Sequence, residues 1–338
     1  MIGLATAPVH RGVNDAIVIT VGTWNLENLF RPGGKFGPKD KTAYDEKLAA
    51  LAATINAAAP DVLGLQEVGE PQALADLVTL LDGTWHTALS THLEEDHPIR
   101  VGVLSRHPMQ LITDIAAFVP PLRPIQGDDD PQHAVNTMGR GVLGVDARIS
   151  DQLTVTLLVC HLKSKLLSFP GAGGQTRFFP RNEGERARFG AYALYRRAAE
   201  AVTVRGVVDD LLGGAGSARN LILVGDLNDQ PQAATTQILY GPPGSQIGTP
   251  GFKRPDKADA VRLWNLAALI PEDERYSRVY EGQPELIDHI LVNHPLVARV
   301  SDVHSIIDRP LPSITADPNA RRGARDSDHA PIIAHIDV

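Results

Sequence analysis

Short apolar runs, each closing on a polar cluster, recur along the whole chain. Ile17 to Val21 is β-branched and reads as a strand running into Gly22-Thr23-Trp24-Asn25. From about Tyr44 to Ala59 an alanine-rich segment with helical spacing predicts a helix that stops at Pro60. Asp61 to Leu65 follows as a buried strand ending at Gln66-Glu67. Pro71 to Leu81 predicts a second helix, with Pro71 suited to its first turn. Strands are then expected at Trp85 to Thr91, Val101 to Ser105, Gly141 to Ile149 and Leu153 to His161. Asn182 to Leu212 predicts a long helix ended by Gly213-Gly214-Ala215-Gly216. Leu221 to Gly225, Leu286 to Val292 and Pro331 to Ile336 complete the strands. Val119 to Thr137, Leu167 to Arg181 and Gly241 to Lys257 read as long loops rich in Gly, Pro or polar residues. None has linker composition, so one domain is expected over 1–338, with about 1–16 as an N-terminal extension.

Six clusters carry the candidate chemistry. They are Trp24-Asn25-Leu26-Glu27-Asn28, Leu65-Gln66-Glu67-Val68, His161-Leu162-Lys163-Ser164, Gly225-Asp226-Leu227-Asn228-Asp229, Ile287-Asp288-His289-Ile290-Leu291-Val292 and Ser327-Asp328-His329-Ala330-Pro331. In α/β proteins apolar strands deliver reactive side chains to a common rim. The set holds carboxylates, amides and histidines. Such oxygen donors suit a hard cation, Mg²⁺ or Mn²⁺, leaving histidines and a carboxylate for proton transfer. Asp226 and Asn228 are two apart and share a face in an extended segment. Cys160 and His161 are adjacent in a strand and point to opposite faces, which argues against a Cys–His nucleophilic pair.

Composition narrows the partners. The 338 residues, 43% hydrophobic and 21% charged, make a core-forming globular chain. Its single cysteine permits no intrachain disulfide. A net charge of -8 is not the basic footprint of a protein that holds long nucleic acid by charge alone. There is no apolar run fit to span a bilayer and no evident signal peptide, so a cytoplasmic location is expected. Nothing in the sequence points to a protein partner.

In their order, from Thr23 to Pro331, the six clusters resemble the endonuclease/exonuclease/phosphatase superfamily. The resemblance implies a four-layer α/β sandwich, two mainly antiparallel β-sheets packed face to face with helices outside. It implies that Glu67 and Asp328 hold Mg²⁺ or Mn²⁺, with Asn25 beside the metal and phosphate. His161 would contact the scissile phosphate. Asp226 and Asn228 would position or deprotonate the attacking water, and Asp288 would orient the catalytic His329. Arg140 and Lys163 are weaker candidates for phosphate contacts. Deoxyribonuclease-like members pair the first histidine with a glutamate on a central strand. The similar stretch here, Met138-Gly139-Arg140-Gly141, has none, so the partner of His161 is open.

Bland alternatives exist for each residue taken singly. Asn25 suits a strand-end turn, and Asp226 with Asn228 suits an Asx turn. His161 suits a satisfied core histidine. Arg177, Arg181, Arg186 and Arg188 form a basic run, read first as a solvated helix face and loop and otherwise as a substrate-recognition segment. His289 is expected to face away from the site. The function expected is metal-dependent hydrolysis of a phosphodiester in DNA or RNA. The alternatives are a phosphodiesterase or phosphatase on a small molecule or lipid headgroup, and a catalytically inactive binding module on the same scaffold.

Overall fold

The computed structural model describes residues 17–94, 96–213, 218–241, 261–317 and 320–338. The expected N-terminal extension and nearly all of the loop Gly241 to Lys257 lie outside the described residues. Twelve strands form two large sheets. They are β1 (Val18–Leu29), β2 (Val62–Val68), β3 (His86–Leu89), β4 (Arg100–Ser105), β5 (Met109–Ala117), β6 (Thr137–Arg148), β7 (Thr154–His161), β8 (Asn220–Asp226), β9 (Leu263–Asn265), β10 (Asp288–Asn293), β11 (Val300–Ser305) and β12 (Ile332–Asp337). The helices of more than one turn are α1 (Lys41–Ala58), α2 (Pro71–Val78), α3 (Glu183–Leu212) and α4 (Ala234–Tyr240).

The first sheet runs β11-β12-β1-β2-β4-β3 and the second β9-β10-β8-β7-β6-β5. Each has one parallel pair, β1 with β2 and β7 with β8, and is otherwise antiparallel. The expected sandwich is therefore present, and the side-chain period of two explains its layers. Val21, Val62 and Val103 of the first sheet meet Leu157, Val159, Val224 and Ile290 of the second in one buried cluster. The alternate residues Leu158, Cys160 and Leu223 face outward and pack on α3 through Ala201, Val204 and Val208. On the far side Trp24, Leu63 and Leu65 pack on Leu48, Leu51 and Ile55 of α1 and Leu74 and Leu77 of α2. Among the described residues no helix is long and apolar enough to cross a membrane.

Helix ends follow local chemistry. Asp40 caps α1 through Ala43 N, and Asn182 caps α3 through Glu185 N. Gly213 takes the left-handed conformation that ends α3. Several expectations need correction, among them the strands Leu263–Asn265 and Val300–Ser305, which the apolar pattern did not announce, and a hairpin, Ile125–Gln126 against Ala134–Val135, in the loop Val119 to Thr137. The first strand does not stop at Val21 but continues through the Trp24-Asn25 cluster to Leu29. Met109–Ala117 is an additional strand, at an edge of the second sheet where one face is solvated and carries no continuous apolar run. The loop Leu167 to Arg181 contains a small hairpin, Phe169–Pro170 against Thr176–Arg177.

Cys160 is fully buried on the α3 side, and burial pushes its thiol well above the ordinary range. The folded protein is expected to give no thiol reaction with Ellman's reagent, and one equivalent after denaturation in guanidinium. A fast reaction without denaturant would contradict the packing of β7 on α3.

Candidate active site

All of the expected site residues gather at one rim of the sandwich, and the sheet register puts them there. His161 ends β7 and Asp226 ends β8, side by side in the parallel pair. Asp288 begins β10 opposite Asp226 in the antiparallel pair. From the other sheet come Asn25 on β1 and Glu67 at the end of β2. Gly64 lets the two sheets close below them. A Cβ there would lie 2.4 Å from Val224 Cγ2 and 3.0 Å from Val159 Cγ2. His329 arrives just before β12. Ser327 Oγ donates to Asn25 O at 2.6 Å, and Trp24 Nε1 donates to His329 O at 2.9 Å.

Asp226 is the hub. Its Oδ2 accepts from Asn25 Nδ2 at 3.0 Å and lies 3.5 Å from His161 Nε2 and 3.9 Å from His329 Nε2. Its Oδ1 accepts from the Asn228 backbone N–H at 2.8 Å, the Asx turn that the spacing allowed. The Asn228 side chain donates to Leu162 O at 3.0 Å, tying β8 to the segment after β7. Burial and the charge of Asp288 push the Asp226 carboxyl up to about 6. His329 Nδ1 lies 2.7 Å from Asp288 Oδ2. Burial works against its charged form, but Asp288, Asp328 and Asp226 outweigh it and raise the imidazolium to about 10. His161 goes the other way, well below the ordinary range, through burial and the charges of Arg140 and His329. No glutamate partners it: Arg140 Nη2 is 3.3 Å and Asp226 Oδ2 3.5 Å from His161 Nε2, while the buried Nδ1 has no hydrogen-bond partner among the described residues. The residue behind Arg140 is Glu94, from the β3–β4 connection.

Glu67 sits on the other side of Asn25. Its Oε1 accepts from Asn25 Nδ2 at 3.1 Å and its Oε2 from the Asn28 backbone at 2.9 Å. Glu27, not singled out in the sequence, proves central. It accepts from Arg321 at 2.7 and 2.9 Å and from the Asp328 backbone at 3.0 Å, fixing the last motif beside the first. Burial and the nearby Asp328 push the Glu27 carboxyl up to about 7. Lys47 of α1 is buried beneath, with the charges of Glu27, Asp328 and Glu67 bearing on it. A signal for it existed, since Lys47 falls at an inward position among Tyr44, Leu48, Leu51 and Ile55 of α1. Six non-glycine residues among those described have positive φ, and four of them, Glu27, Asn28, Glu67 and Asn228, lie in these motifs. Backbone strain of this kind concentrates at functional sites.

The donor set fits a hard divalent cation. Glu27, Glu67 and Asp328 bring three carboxylates to a corner where Lys47 and Arg321 are the facing cations, and the Glu27 carboxyl is raised first by burial and then by Asp328. Each Glu67 oxygen accepts one hydrogen bond and retains acceptor capacity. Among the described residues, the group of three whose ligand atoms all lie within 4.8 Å of one another is Asp226, Asp288 and His329. There the Asp288–His329 hydrogen bond already occupies one atom of each residue.

Lys163 and Arg140 are both at the rim. Lys163 Nζ lies 3.4 Å from Ser164 Oγ and 3.3 Å from Leu166 O, and burial lowers it to about 8. Glu200 of α3, fully buried, accepts from the backbones of Gly139 at 3.2 Å and Lys163 at 2.5 Å and from Arg196 Nε at 3.2 Å. Glu200→Ala would strand two backbone donors and is expected to cost about 3 kcal/mol or more. Thermal unfolding checks this, and an unchanged midpoint would contradict it. The arginine run is not a free basic surface. Arg177 and Arg181 pair with Glu185, Arg186 with Glu183 and Arg188 with Asp129. His289 faces away as expected, between Asn265 at 3.1 Å and Asp229 O at 2.9 Å.

A sequence model described as the Endonuclease/Exonuclease/phosphatase family matches residues 22–329. The chain belongs to that family. Similar solved structures agree in fold. Truncated TDP2 of Caenorhabditis elegans is 15% identical with a TM-score of 0.54, covering 95% of this chain and 98% of that one. The human Nocturnin catalytic domain with bound sulfate anion is 15% identical, TM-score 0.52, covering 94% and 93%. A mannosyl-6-phosphatase of Bacteroides thetaiotaomicron is 14% identical, TM-score 0.51, covering 94% and 98%. A search of curated proteins found no match. At such identities the likeness to solved structures speaks for the endonuclease/exonuclease/phosphatase fold alone.

Proposed function

We propose that this protein is a divalent-metal-dependent phosphoesterase that hydrolyses a phosphodiester by in-line attack of water, with a nucleic acid strand as substrate. The observation that carries it is the convergence on Asp226 Oδ2 of Asn25, His161 and His329, from both sheets. Glu67 and Asp328, with Asn25 close by, would hold Mg²⁺ or Mn²⁺. A divalent cation there supplies Lewis-acid polarisation of a phosphate oxygen and offsets the charge that develops on it.

The chain's own groups do the rest. Asp226, aided by Asn228, holds the water and takes its proton. A carboxyl raised by burial is a stronger base than a solvated one, yet still ionised at neutral pH. His329, kept cationic by Asp288, donates to a phosphate oxygen rather than acting as base. Arg140 donates beside the neutral His161. Lys163 adds positive charge at the same end.

A small-molecule or lipid-headgroup ester is the second reading, favoured by one observation: each arginine of the run has a carboxylate within 4 Å that offsets its charge. A hydrolysis screen with Mg²⁺ separates the two. It offers plasmid DNA, an abasic-site duplex, RNA, bis-p-nitrophenyl phosphate and p-nitrophenyl phosphate, with His329→Ala as control. Nucleic acid cleavage that is lost in the variant is the expected result. Cleavage of the small esters alone would move the assignment to the second reading.

A further inference from the structure

We propose that Arg140 and Arg196 form a second anion subsite, filled here by the Glu94 carboxylate, that accepts another phosphate of the substrate beside the scissile one. This rests on the phosphoesterase reading above and narrows its substrate to molecules with at least two phosphates.

The Arg140 guanidinium looks two ways. Its Nη2 is 3.3 Å from His161 Nε2, at the reacting end, while Nη1 is 3.4 Å from Glu94 Oε2. Arg140 is buried, yet its Nε and Nη1 make no hydrogen bond. Buried donors without acceptors are costly and call for a partner. Arg196 Nη2 holds the other Glu94 oxygen at 2.8 Å. His97 Nε2 is likewise buried without a hydrogen bond. Gly139 keeps the space open. A Cβ there would stand 2.6 Å from Arg196 Nη2 and 2.7 Å from Glu94 Oε1.

The two carboxylates at this end differ. Glu200 is fixed, its oxygens committed to two backbone donors and Arg196. Glu94 lies in the β3–β4 connection, outside any strand or helix, and is one-quarter exposed on its side chain. Among the described residues no backbone N–H donates to it. A phosphate carries more charge and more acceptor oxygens than a carboxylate, and arginine pairs with it in a fork geometry. It would therefore displace Glu94 and satisfy the spare Arg140 donors. Burial alone would raise the Glu94 carboxyl, but Arg140, Arg196, Lys163 and His97 bring it down to about 2, which registers the positive potential there.

A purely structural Glu94 that props up Arg140 predicts the opposite response to its removal, so one variant decides. The dinucleotide TpT is compared with its doubly end-phosphorylated form pTpTp, which has the same internal diester, in wild type and Glu94→Gln. A parallel pair, inositol 1-phosphate and inositol 1,4-bisphosphate, tells a nucleic acid source of the second phosphate from a headgroup source. In Glu94→Gln the ratio of kcat/KM for the more phosphorylated member of one pair is expected to rise about tenfold. In Gly139→Ala, which fills the cradle, that ratio is expected to fall. A ratio that is unchanged or lower in Glu94→Gln, with thermal unfolding intact, overturns the subsite. If no ester is cut by wild type, the phosphoesterase reading fails by itself. The subsite is then tested by calorimetric binding of thymidine 3′,5′-bisphosphate against thymidine 3′-monophosphate. Tighter binding of the bisphosphate, increased in Glu94→Gln, supports it, and equal binding overturns it.

Discussion

Asp226→Asn is expected to lower kcat on a phosphodiester by about three orders of magnitude while making the metal-free protein more stable. The two effects have one cause. Asn at this position keeps the shape of the side chain but can neither take a proton nor carry charge, and general-base contributions run to about 10²–10⁴. The same carboxylate is a liability for folding. Burial and Asp288 place its titration at about 6 in the folded protein, against an ordinary carboxyl value near 3.9 in the unfolded chain. Its folded pKa is raised, so the protonated form favours folding below about pH 4 and that stability is lost as the pH climbs through 6. At neutral pH the penalty is of order 2–3 kcal/mol. Loss of the ion pairing that Asp226 offers His329 reduces the gain. Thermal unfolding in EDTA at pH 7.5 should show a rise of a few degrees. A lower midpoint would mean that Asp226 is held chiefly by its partners rather than strained by its neighbours.

His329→Ala is expected to abolish turnover to a similar extent with the reverse effect on stability. Asp288 is wholly buried, and its Oδ1 makes no hydrogen bond while its Oδ2 depends on His329 Nδ1 at 2.7 Å. Removing the imidazole strands a buried carboxylate, which costs about 3–5 kcal/mol. The double variant His329→Ala/Asp288→Asn should recover much of that stability and none of the activity. Asp288→Asn alone is expected to lower kcat by roughly 10²–10³-fold, because the imidazole loses the carboxylate that keeps it a cationic donor to the phosphate. If the double variant were as unstable as His329→Ala, the pair would not be the coupled unit its geometry describes.

How much of this was legible beforehand follows from what a linear pattern can encode. Apolar runs ending in His161, Asp226 and Glu67 announce strands that meet at a rim, because the run and its reactive terminus are contiguous. The helix over α1 is likewise readable, from its spacing and from Pro60. Edge elements are not. Met109–Ala117 has one wet face, and β9 is three residues long, so neither makes an apolar run. The chemistry carried by side chains on other elements was hidden too. Glu94 belongs to a loop without periodicity. Glu200 lies on the inward spacing of α3 with Ala193, Arg197 and Val204, where a carboxylate signals a buried partner but not which one. Glu27 stood in the first motif itself. An extended-strand pattern does not show the left-handed bend at Glu27 and Asn28 that turns Glu27 toward Arg321.

The decisive measurement is the rate of bis-p-nitrophenyl phosphate hydrolysis by the purified protein, first in EDTA and then after Mg²⁺ or Mn²⁺, with wild type and Asp226→Asn side by side. Hydrolysis that needs the cation and falls by about three orders of magnitude in the variant is the predicted result. Cation-independent hydrolysis, or equal rates in the two proteins, would contradict a phosphoesterase centred on Asp226.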